Sequence, residues 1–237
     1  MNSYYSNIYW HFTGSPKNLD WSEIYCPKDI LKKGVPKSDS ECLEILSKIL
    51  ETKCLLAKSK EKIDEHIYTE PFCCVTDIPI QNLDSHKKYY GNVAIGFKHT
   101  KIHKEFNPVL YIPKNSLKKR RKKPEEIPEN IYAWSNPKNI KKNSPGHIWW
   151  VLAPRVDENK LGSYIHNHFK ITVFSHDPSD TFYGEREWRK ISDFNFEYEA
   201  IASVIVPHKN LGETKSILDN YRITDIPILS WELLKNM

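Results

Sequence analysis

The chain has 237 residues, of which 39% are apolar, and a mean hydropathy of −0.61; these values are typical of a soluble globular protein, and we expect a single domain over residues 1–237. No stretch approaches the roughly 18 consecutive apolar residues of a membrane-spanning helix, and the N-terminus lacks the charged region and cleavage site of a secretion signal, so we expect a cytoplasmic protein without a membrane partner. The formal net charge of +5 comes from one segment of the chain. Six consecutive basic residues at positions 118–123 contribute six positive charges, so the rest of the chain is close to neutral.

The first predicted element is a strand over residues 8–14 that ends in a glycine turn. Apolar and polar residues alternate there, which is the period of a strand with two different faces. Trp10 and Phe12 share the apolar face, and the polar-aromatic side chains of the other face are Tyr9, His11 and Thr13.

Helices and further strands follow. Between residues 38 and 65, Leu and Ile recur at spacings of three and four, which predicts one or two amphipathic helices with Ser40 as a cap before Glu41. A shorter helix is predicted over residues 83–90, before Gly91. Apolar runs predict strands at residues 70–79, 92–97 and 107–112.

Residues 114–128 combine prolines with the basic run Lys118, Lys119, Arg120, Arg121, Lys122 and Lys123. Six adjacent like charges cannot be buried together, so this segment predicts an exposed, mobile loop. The loop either binds the phosphates of a nucleic acid or is simply solvated and partly neutralised by the neighbouring glutamates.

The second half of the chain completes an α+β fold. Residues 113–146 indicate loops, and residues 148–152 and 161–169 indicate helical segments. Strands are predicted at 169–174, 188–191, 202–207 and 227–229, and helices at 211–220 and 231–235. Because the elements do not alternate as repeated βα units, we expect a central mixed or antiparallel sheet of short strands with flanking helices. The residues assigned to its apolar face are Trp10, Phe12, Val75, Val93, Ile95, Phe97, Val109 and Val204.

Residues 182–191 are dense in acids, arginines and aromatic side chains. Glu185 and Glu187 are two residues apart, so on an extended strand they would point to one face, with Arg186 and Trp188 on the other. Two hypotheses remain open for this segment: an acid pair at a cleft, or solvated salt bridges on a strand edge with Trp188 in the core.

Several common sites are disfavoured. The chain has eight glycines and none forms a phosphate-binding loop, which argues against the nucleotide-binding folds built on such loops. His99 with His103 and His166 with His168 have no acid or cysteine at a complementary spacing, so no metal site is expected.

The five cysteines are expected to be free thiols, because none has a Cys-x-x-Cys spacing and the adjacent Cys73 and Cys74 could bond only through a strained ring. A catalytic thiol with His11 or His86 as its base is less consistent with an apolar strand than a small core residue is.

Seven motifs in chain order carry a resemblance to a known family. They occupy residues 9–14, 72–79, 86 with 89–91, 94–97, 107–111, 182–189 and 226–231. Together they resemble the AbiGi family of bacterial abortive-infection phage-resistance proteins, and the basic run is not part of the resemblance. The resemblance implies a role in phage defence as the antitoxin-like member of a two-gene system, with a cognate toxin or a phage protein as partner.

A second, looser resemblance is to the diphtheria-toxin-like ADP-ribosyltransferases. It implies an ADP-ribosyltransferase-like fold and NAD as cofactor, with His11 on the first strand holding the nicotinamide ribose, Tyr89 or Tyr90 stacking on nicotinamide, and Glu187 on a late strand. The chemistry is consistent, because loss of nicotinamide creates an oxocarbenium-like centre that a carboxylate stabilises.

Two functional hypotheses follow. In the first, the protein is an NAD-dependent ADP-ribosyltransferase whose catalytic residues are His11 and Glu187, with Thr13 and Tyr90 lining the cleft. The residues assigned to grip the pyrophosphate are Arg186 or Arg189.

In the second hypothesis, the protein has no turnover. It docks to a toxin or phage protein through exposed aromatics such as Trp149 and Trp150 beside the basic loop. Convergence of His11 and Glu187 at an open pocket favours the first hypothesis, whereas a Glu187 sealed against Arg189 favours a structural role.

Overall fold

The computed structural model describes residues 6–64, 67–114 and 165–235, and these ranges form short strands with intervening helices. The strands are β1 (Ile8–Phe12), β2 (Cys54–Leu55), β3 (Lys62–Asp64), β4 (Ile67–Tyr68), β5 (Cys73–Thr76), β6 (Ala94–Lys98), β7 (Asn107–Pro108), β8 (Leu110–Pro113), β9 (Phe169–Thr172), β10 (Glu187–Lys190), β11 (Phe194–Asn195), β12 (Ile201–Val206) and β13 (Ile228–Ser230). The α-helices are α1 (Pro27–Lys33), α2 (Asp39–Thr52), α3 (Asp84–Tyr90), α4 (His99–Ile102), α5 (Leu211–Asn220) and α6 (Trp231–Leu234).

Seven of these strands form one mixed sheet in the order β13-β12-β6-β1-β5-β10-β7. The pair β12–β13 is parallel, and the other neighbours in this sheet are antiparallel. Separate two-stranded sheets are formed by β2 with β11, β3 with β4, and β8 with β9. The α+β class predicted from the sequence is therefore confirmed.

The single strand predicted at residues 107–112 is divided between two sheets. β7 pairs with β10, whereas β8 pairs in parallel with β9. Between them the Val109 N–H donates to the Glu187 carbonyl at 2.9 Å, and the Leu110 N–H donates to the His168 carbonyl at 2.8 Å. The chain therefore changes partner strand between Val109, which still bonds to β10, and Leu110.

Helix α2 begins two residues earlier than predicted. Its cap is Ser38 rather than Ser40: the Ser38 hydroxyl accepts from the Glu41 N–H at 3.3 Å, and the Glu41 carboxylate accepts from the Ser38 N–H at 3.0 Å. This reciprocal capping box satisfies two backbone donors that a start at Ser40 would leave without partners. Residues of α2 at spacings of three and four then face the sheet.

Apolar residues cover both faces of the sheet, not one as predicted. Val75, Val93, Ile95, Phe97 and Val204 pack in a cluster with α2. Trp10 and Phe12 belong to a second cluster that includes residues of α1 and α3. The predicted residues are all buried, but a sheet with helices on both sides needs apolar side chains on both faces.

Gly14 and Gly91 bring the end of β1 against the end of α3. A Cβ on Gly14 would lie 2.5 Å from the Gly91 Cα, and Gly91 has a φ of +88°, a conformation that other residues rarely adopt. This close approach places β1 beside α3, which carries His86 and Tyr90.

Several predictions fall on residues 115–164, outside the described residues. They are the basic run Lys118–Lys123, the helical segment at 148–152 with Trp149 and Trp150, and the first four residues of the segment at 161–169, of which residues 165–167 are helical. Within the described ranges, no helix combines the length and apolar character that crossing a bilayer requires.

Candidate functional site

A cleft lies where β1 and β5 separate. The two strands pair at Trp10 and Thr76. Further along β1, the His11 side chain binds the neighbouring strand, with Nδ1 2.8 Å from the Cys74 carbonyl oxygen. Because a carbonyl oxygen only accepts, Nδ1 carries the proton and Nε2 is the unprotonated nitrogen. The space between these strands and the adjoining loops is a cleft of about 120 Å³.

The walls of this cleft are aromatic and its buried part is acidic. Its ring-bearing residues besides His11 are Trp10, Phe12, Trp21, Phe72, His86 and Tyr90. Its charged residues are Glu61, Glu185, Glu187 and Lys170. Leu56, also in the lining, is 49% exposed, whereas Glu185 and Glu187 are buried. The acids therefore lie at the inner end.

Lys170 of β9 lies at the centre of the charged residues of the cleft. Its Nζ lies 2.7 Å from Glu187 Oε2, 3.1 Å from Glu185 Oε2 and 3.3 Å from Glu61 Oε1. The same Nζ lies 4.2 Å from the centre of the Phe182 ring. A buried ammonium is stable only when such partners replace its water, so Lys170 holds the three acids together.

Arg189 of β10 lies behind this group and is completely buried. Its Nε donates to Glu187 Oε1 at 2.6 Å, its Nη2 donates to Glu61 Oε2, and its Nη1 donates to the Phe169 carbonyl at 3.1 Å. The guanidinium also lies 4.0 Å from the centre of the Phe72 ring. Both oxygens of Glu187 are thus engaged, one by Arg189 and the other by Lys170.

The negative charge of Glu185 is balanced by fewer cations than that of Glu187. Its Oε1 accepts from the neutral Tyr90 hydroxyl, and its Oε2 shares Lys170 with two other carboxylates. Its backbone carbonyl accepts from the Thr76 hydroxyl, which attaches the Phe182–Glu185 turn to β5.

The two acids have opposite pKa shifts. Burial raises the pKa of Glu185. Burial acts in the same direction on Glu187, but Arg189 and Lys170 outweigh it and lower the Glu187 pKa to about 2. Glu187 is therefore ionised at neutral pH, and of the two acids Glu185 takes up a proton more readily.

The histidines of the cleft make the stability depend on pH. Burial, with the nearby Lys170 charge, lowers the pKa of His86 to about 3, and burial also lowers the pKa of His11. The unfolded chain binds a proton at each near pH 6.5, so stability is complete above that pH and falls as the pH decreases.

We expect the free energy of unfolding to fall between pH 6.5 and pH 5 by up to about 1.4 kcal/mol per histidine for each pH unit. Urea titrations at several pH values measure it. In the His86→Gln variant the slope should be shallower; an unchanged slope would show that His86 does not contribute.

The structure brings together three of the residues predicted to form an NAD site. His11, Tyr90 and Glu187 all line the cleft. Thr13 and Tyr89 are not among its lining residues: the Thr13 hydroxyl donates to the Cys42 carbonyl at 3.0 Å, and Tyr89 packs in the second apolar cluster.

Neither predicted pyrophosphate-binding arginine lines the cleft. Arg186 forms a bidentate pair with the buried Asp77, with Nε and Nη2 donating at 2.6 and 2.9 Å. Arg189 is sealed behind Glu187 and directs its donors to protein oxygens. Each arginine therefore neutralises a buried acid: Arg186 neutralises Asp77, and Arg189 neutralises Glu187.

Sequence reasoning missed Glu61 and Lys170. Lys170 had a visible signal, because it interrupts an apolar strand where a lysine needs either solvent or an acidic partner. Glu61 had none, since it lies in the polar run of residues 58–62, and its role depends on where the chain folds back.

The adjacent thiols have little nucleophilic character. Burial raises the pKa of Cys73 to about 12 and raises that of Cys74 well above its usual value. Both are therefore protonated at neutral pH, and all five cysteines are free, as predicted.

Comparison with known proteins identifies one family. The family model described as "Putative abortive phage resistance protein AbiGi, antitoxin" matches residues 43–231. No curated protein and no solved structure matches the chain. The matched range includes α2 from Leu43 onward and the cleft acids Glu61, Glu185 and Glu187.

Proposed function

Because the chain belongs to the AbiGi family, we propose that it serves in abortive infection as an antitoxin that binds a cognate toxin rather than as an enzyme. The observation that supports binding is the state of Glu187. Both of its carboxylate oxygens are engaged by buried cations, at 2.6 Å from Arg189 Nε and 2.7 Å from Lys170 Nζ. A carboxylate neutralised in this way has little charge left to stabilise a cationic transition state.

The size of the cleft supports the same conclusion. Its volume of about 120 Å³ is below the roughly 300–1,000 Å³ of pockets that enclose drug-sized ligands. Among its described lining residues the one cation, Lys170, is already bound to three acids. The described lining residues therefore offer no free cation for a pyrophosphate.

Co-expression tests the antitoxin role. The product of the adjacent gene, expressed alone, should arrest growth, and growth should recover when this protein is co-expressed. The two proteins should co-purify as a complex. If the neighbouring product is harmless, or if this protein protects cells from phage without it, the antitoxin proposal fails.

An NAD-dependent ADP-ribosyltransferase is the second candidate, because His11, Tyr90 and Glu187 line one cleft. In that case His11 positions the ribose through its unprotonated Nε2, and Tyr90 packs on the leaving ring. Incubation with labelled NAD and a cell extract distinguishes the candidates. Transfer of label that His11→Ala abolishes would establish the enzyme, and absence of transfer leaves the binding role.

A further inference from the structure

Basic side chains are concentrated around α4 and the neighbouring strand β10. Lys98, Lys101 and Lys104 follow one another closely in the sequence. Lys190 of β10 lies beside them, because Lys101 and Lys190 bind the same carboxylate, that of Glu105. Among the described residues, no other acid is within ion-pair distance of these four lysines. The excess of positive charge makes this surface, which we call the α4 surface, complementary to an anionic partner.

Two lysines of the α4 surface keep their charge for a ligand. Lys98 and Lys104 are exposed, and neither forms an ion pair with a described residue. Exposed lysines elsewhere, such as Lys17 and Lys209, do pair with acids of the protein. An unpaired ammonium can neutralise a phosphate, and each phosphate contact of this kind adds to the affinity for a nucleic acid.

An aromatic stack adjoins the same lysines. The His103 ring lies nearly parallel to the Trp188 indole, with an interplanar angle of 15° and a centroid distance of 5.2 Å. The Tyr9 ring is perpendicular to both, and its hydroxyl oxygen lies 2.6 Å from His103 Nε2, which fixes the imidazole. Trp188 packs against the apolar core, whereas His103 is exposed. The stack therefore ends at the surface with an imidazole, a ring on which nucleic-acid bases stack.

We propose that the α4 surface binds a single-stranded nucleic acid, with one base stacked on His103 and phosphates bound by Lys98 and Lys104. The combination of unpaired cations with an exposed, fixed ring favours this ligand over an acidic protein, which would use the charges but not the ring. It also favours a single strand over a duplex, whose bases are already stacked on one another. The proposal does not depend on toxin binding.

The salt dependence of binding tests the phosphate contacts. The affinity for a labelled single strand of about 12 nucleotides is measured by fluorescence anisotropy at several salt concentrations. Each phosphate contact contributes about 0.7 to the slope of log affinity against log salt concentration. Replacing Lys98 and Lys104 together by glutamine should therefore make the slope shallower by about 1.4 and weaken binding at low salt.

A matched double variant controls for net charge. Lys48 of α2 and Lys215 of α5 are also exposed and form no ion pair with a described residue. Replacing both by glutamine removes the same number of positive charges and should leave the slope unchanged. All variants retain the basic run at residues 118–123, so its contribution is the same in each comparison. Equal slopes in the two double variants would overturn the proposal.

Two substitutions of His103 test the stacked base. His103→Ala should weaken binding roughly tenfold at every salt concentration, since stacking on a side chain does not release counterions. His103→Phe also loses the contact with the Tyr9 hydroxyl but keeps an aromatic ring, and it should bind within about twofold of the unmodified protein. Circular dichroism verifies that both variants are folded. Equal losses in the two variants would show that no base stacks at this position.

Further ligands distinguish the source of the strand and the class of partner. The same sequence prepared as RNA and as DNA shows which of the two binds more tightly, and preference for either supports the site. Equal affinity for a duplex, displacement of the strand by polyglutamate at a similar charge concentration, or no saturable binding would refute it. The toxin complex can be assayed separately in the Lys98→Gln/Lys104→Gln variant, so failure of this site is distinguishable from failure of the antitoxin role.

Discussion

Replacement of Phe97 by alanine is expected to lower the free energy of unfolding by about 3–5 kcal/mol. Phe97 is completely buried on β6, and its ring makes edge-to-face contacts with Phe194 and Phe196 at centroid distances of 5.4 and 5.0 Å. Truncation removes these contacts and leaves a cavity that strands on both sides prevent from collapsing. The loss is a large part of the roughly 5–15 kcal/mol that stabilises a typical domain.

Urea denaturation followed by circular dichroism measures this effect. Phe174→Ala is the matched control, because that phenylalanine is 48% exposed, and its loss should stay below about 1 kcal/mol. Equal losses in the two variants would mean that β6 does not lie at the centre of the sheet.

The elements that the sequence predicts well are those with strong local periodicity. Strands β1, β6 and β12 have uninterrupted apolar or alternating patterns, and α5 has the bounds that its pattern indicates. The division of residues 107–112 was not predictable, because it depends on two partner strands that are distant in sequence. The two-sided core was missed for a similar reason: alternation assigns a residue to a face but does not show what covers each face.

The candidate site was predictable in part. Glu185 and Glu187 do converge, but not as neighbours on one face of a strand. Glu185 ends a 3₁₀ turn, and Arg186 adopts a left-handed conformation with a φ of 49° before β10 begins at Glu187. The two carboxylates converge on Lys170 because the backbone changes direction at Arg186 and because β9 brings Lys170 beside them. Neither feature can be predicted from the spacing of the two glutamates in the sequence.

The neutralisation of the acids by arginines also depends on tertiary structure. An extended strand places Arg189 on the same face as Glu187, which the sequence alone shows. Whether that face meets solvent or the interior decides between a surface ion pair and a buried network. In the structure this face of the strand is buried, because Glu61 and the backbone carbonyls of Asn167 and Phe169 enclose the Arg189 guanidinium.

Replacement of Glu187 by glutamine is expected to destabilise the protein by about 3–5 kcal/mol, since it leaves the completely buried Arg189 without the carboxylate on its Nε. The substitution also removes the nearest of the three acids around Lys170. The amide is almost isosteric, so the effect is electrostatic, and it should appear as a lower urea midpoint with an unchanged slope.

Two comparisons identify the buried pair as the cause. Glu105→Gln alters a more exposed ion pair with Lys190 and should cost less than about 1 kcal/mol. Combining Glu187→Gln with Arg189→Met removes both charges, and this double variant should recover part of the lost stability.

Phage protection measured in the same variants relates the pair to function. If Glu187 is structural, protection should decline in proportion to the loss of folded protein and should return with the double variant. A Glu187→Gln protein that is fully folded but no longer protects would contradict the structural role and would restore Glu187 as a catalytic residue, because it would have lost only the negative charge.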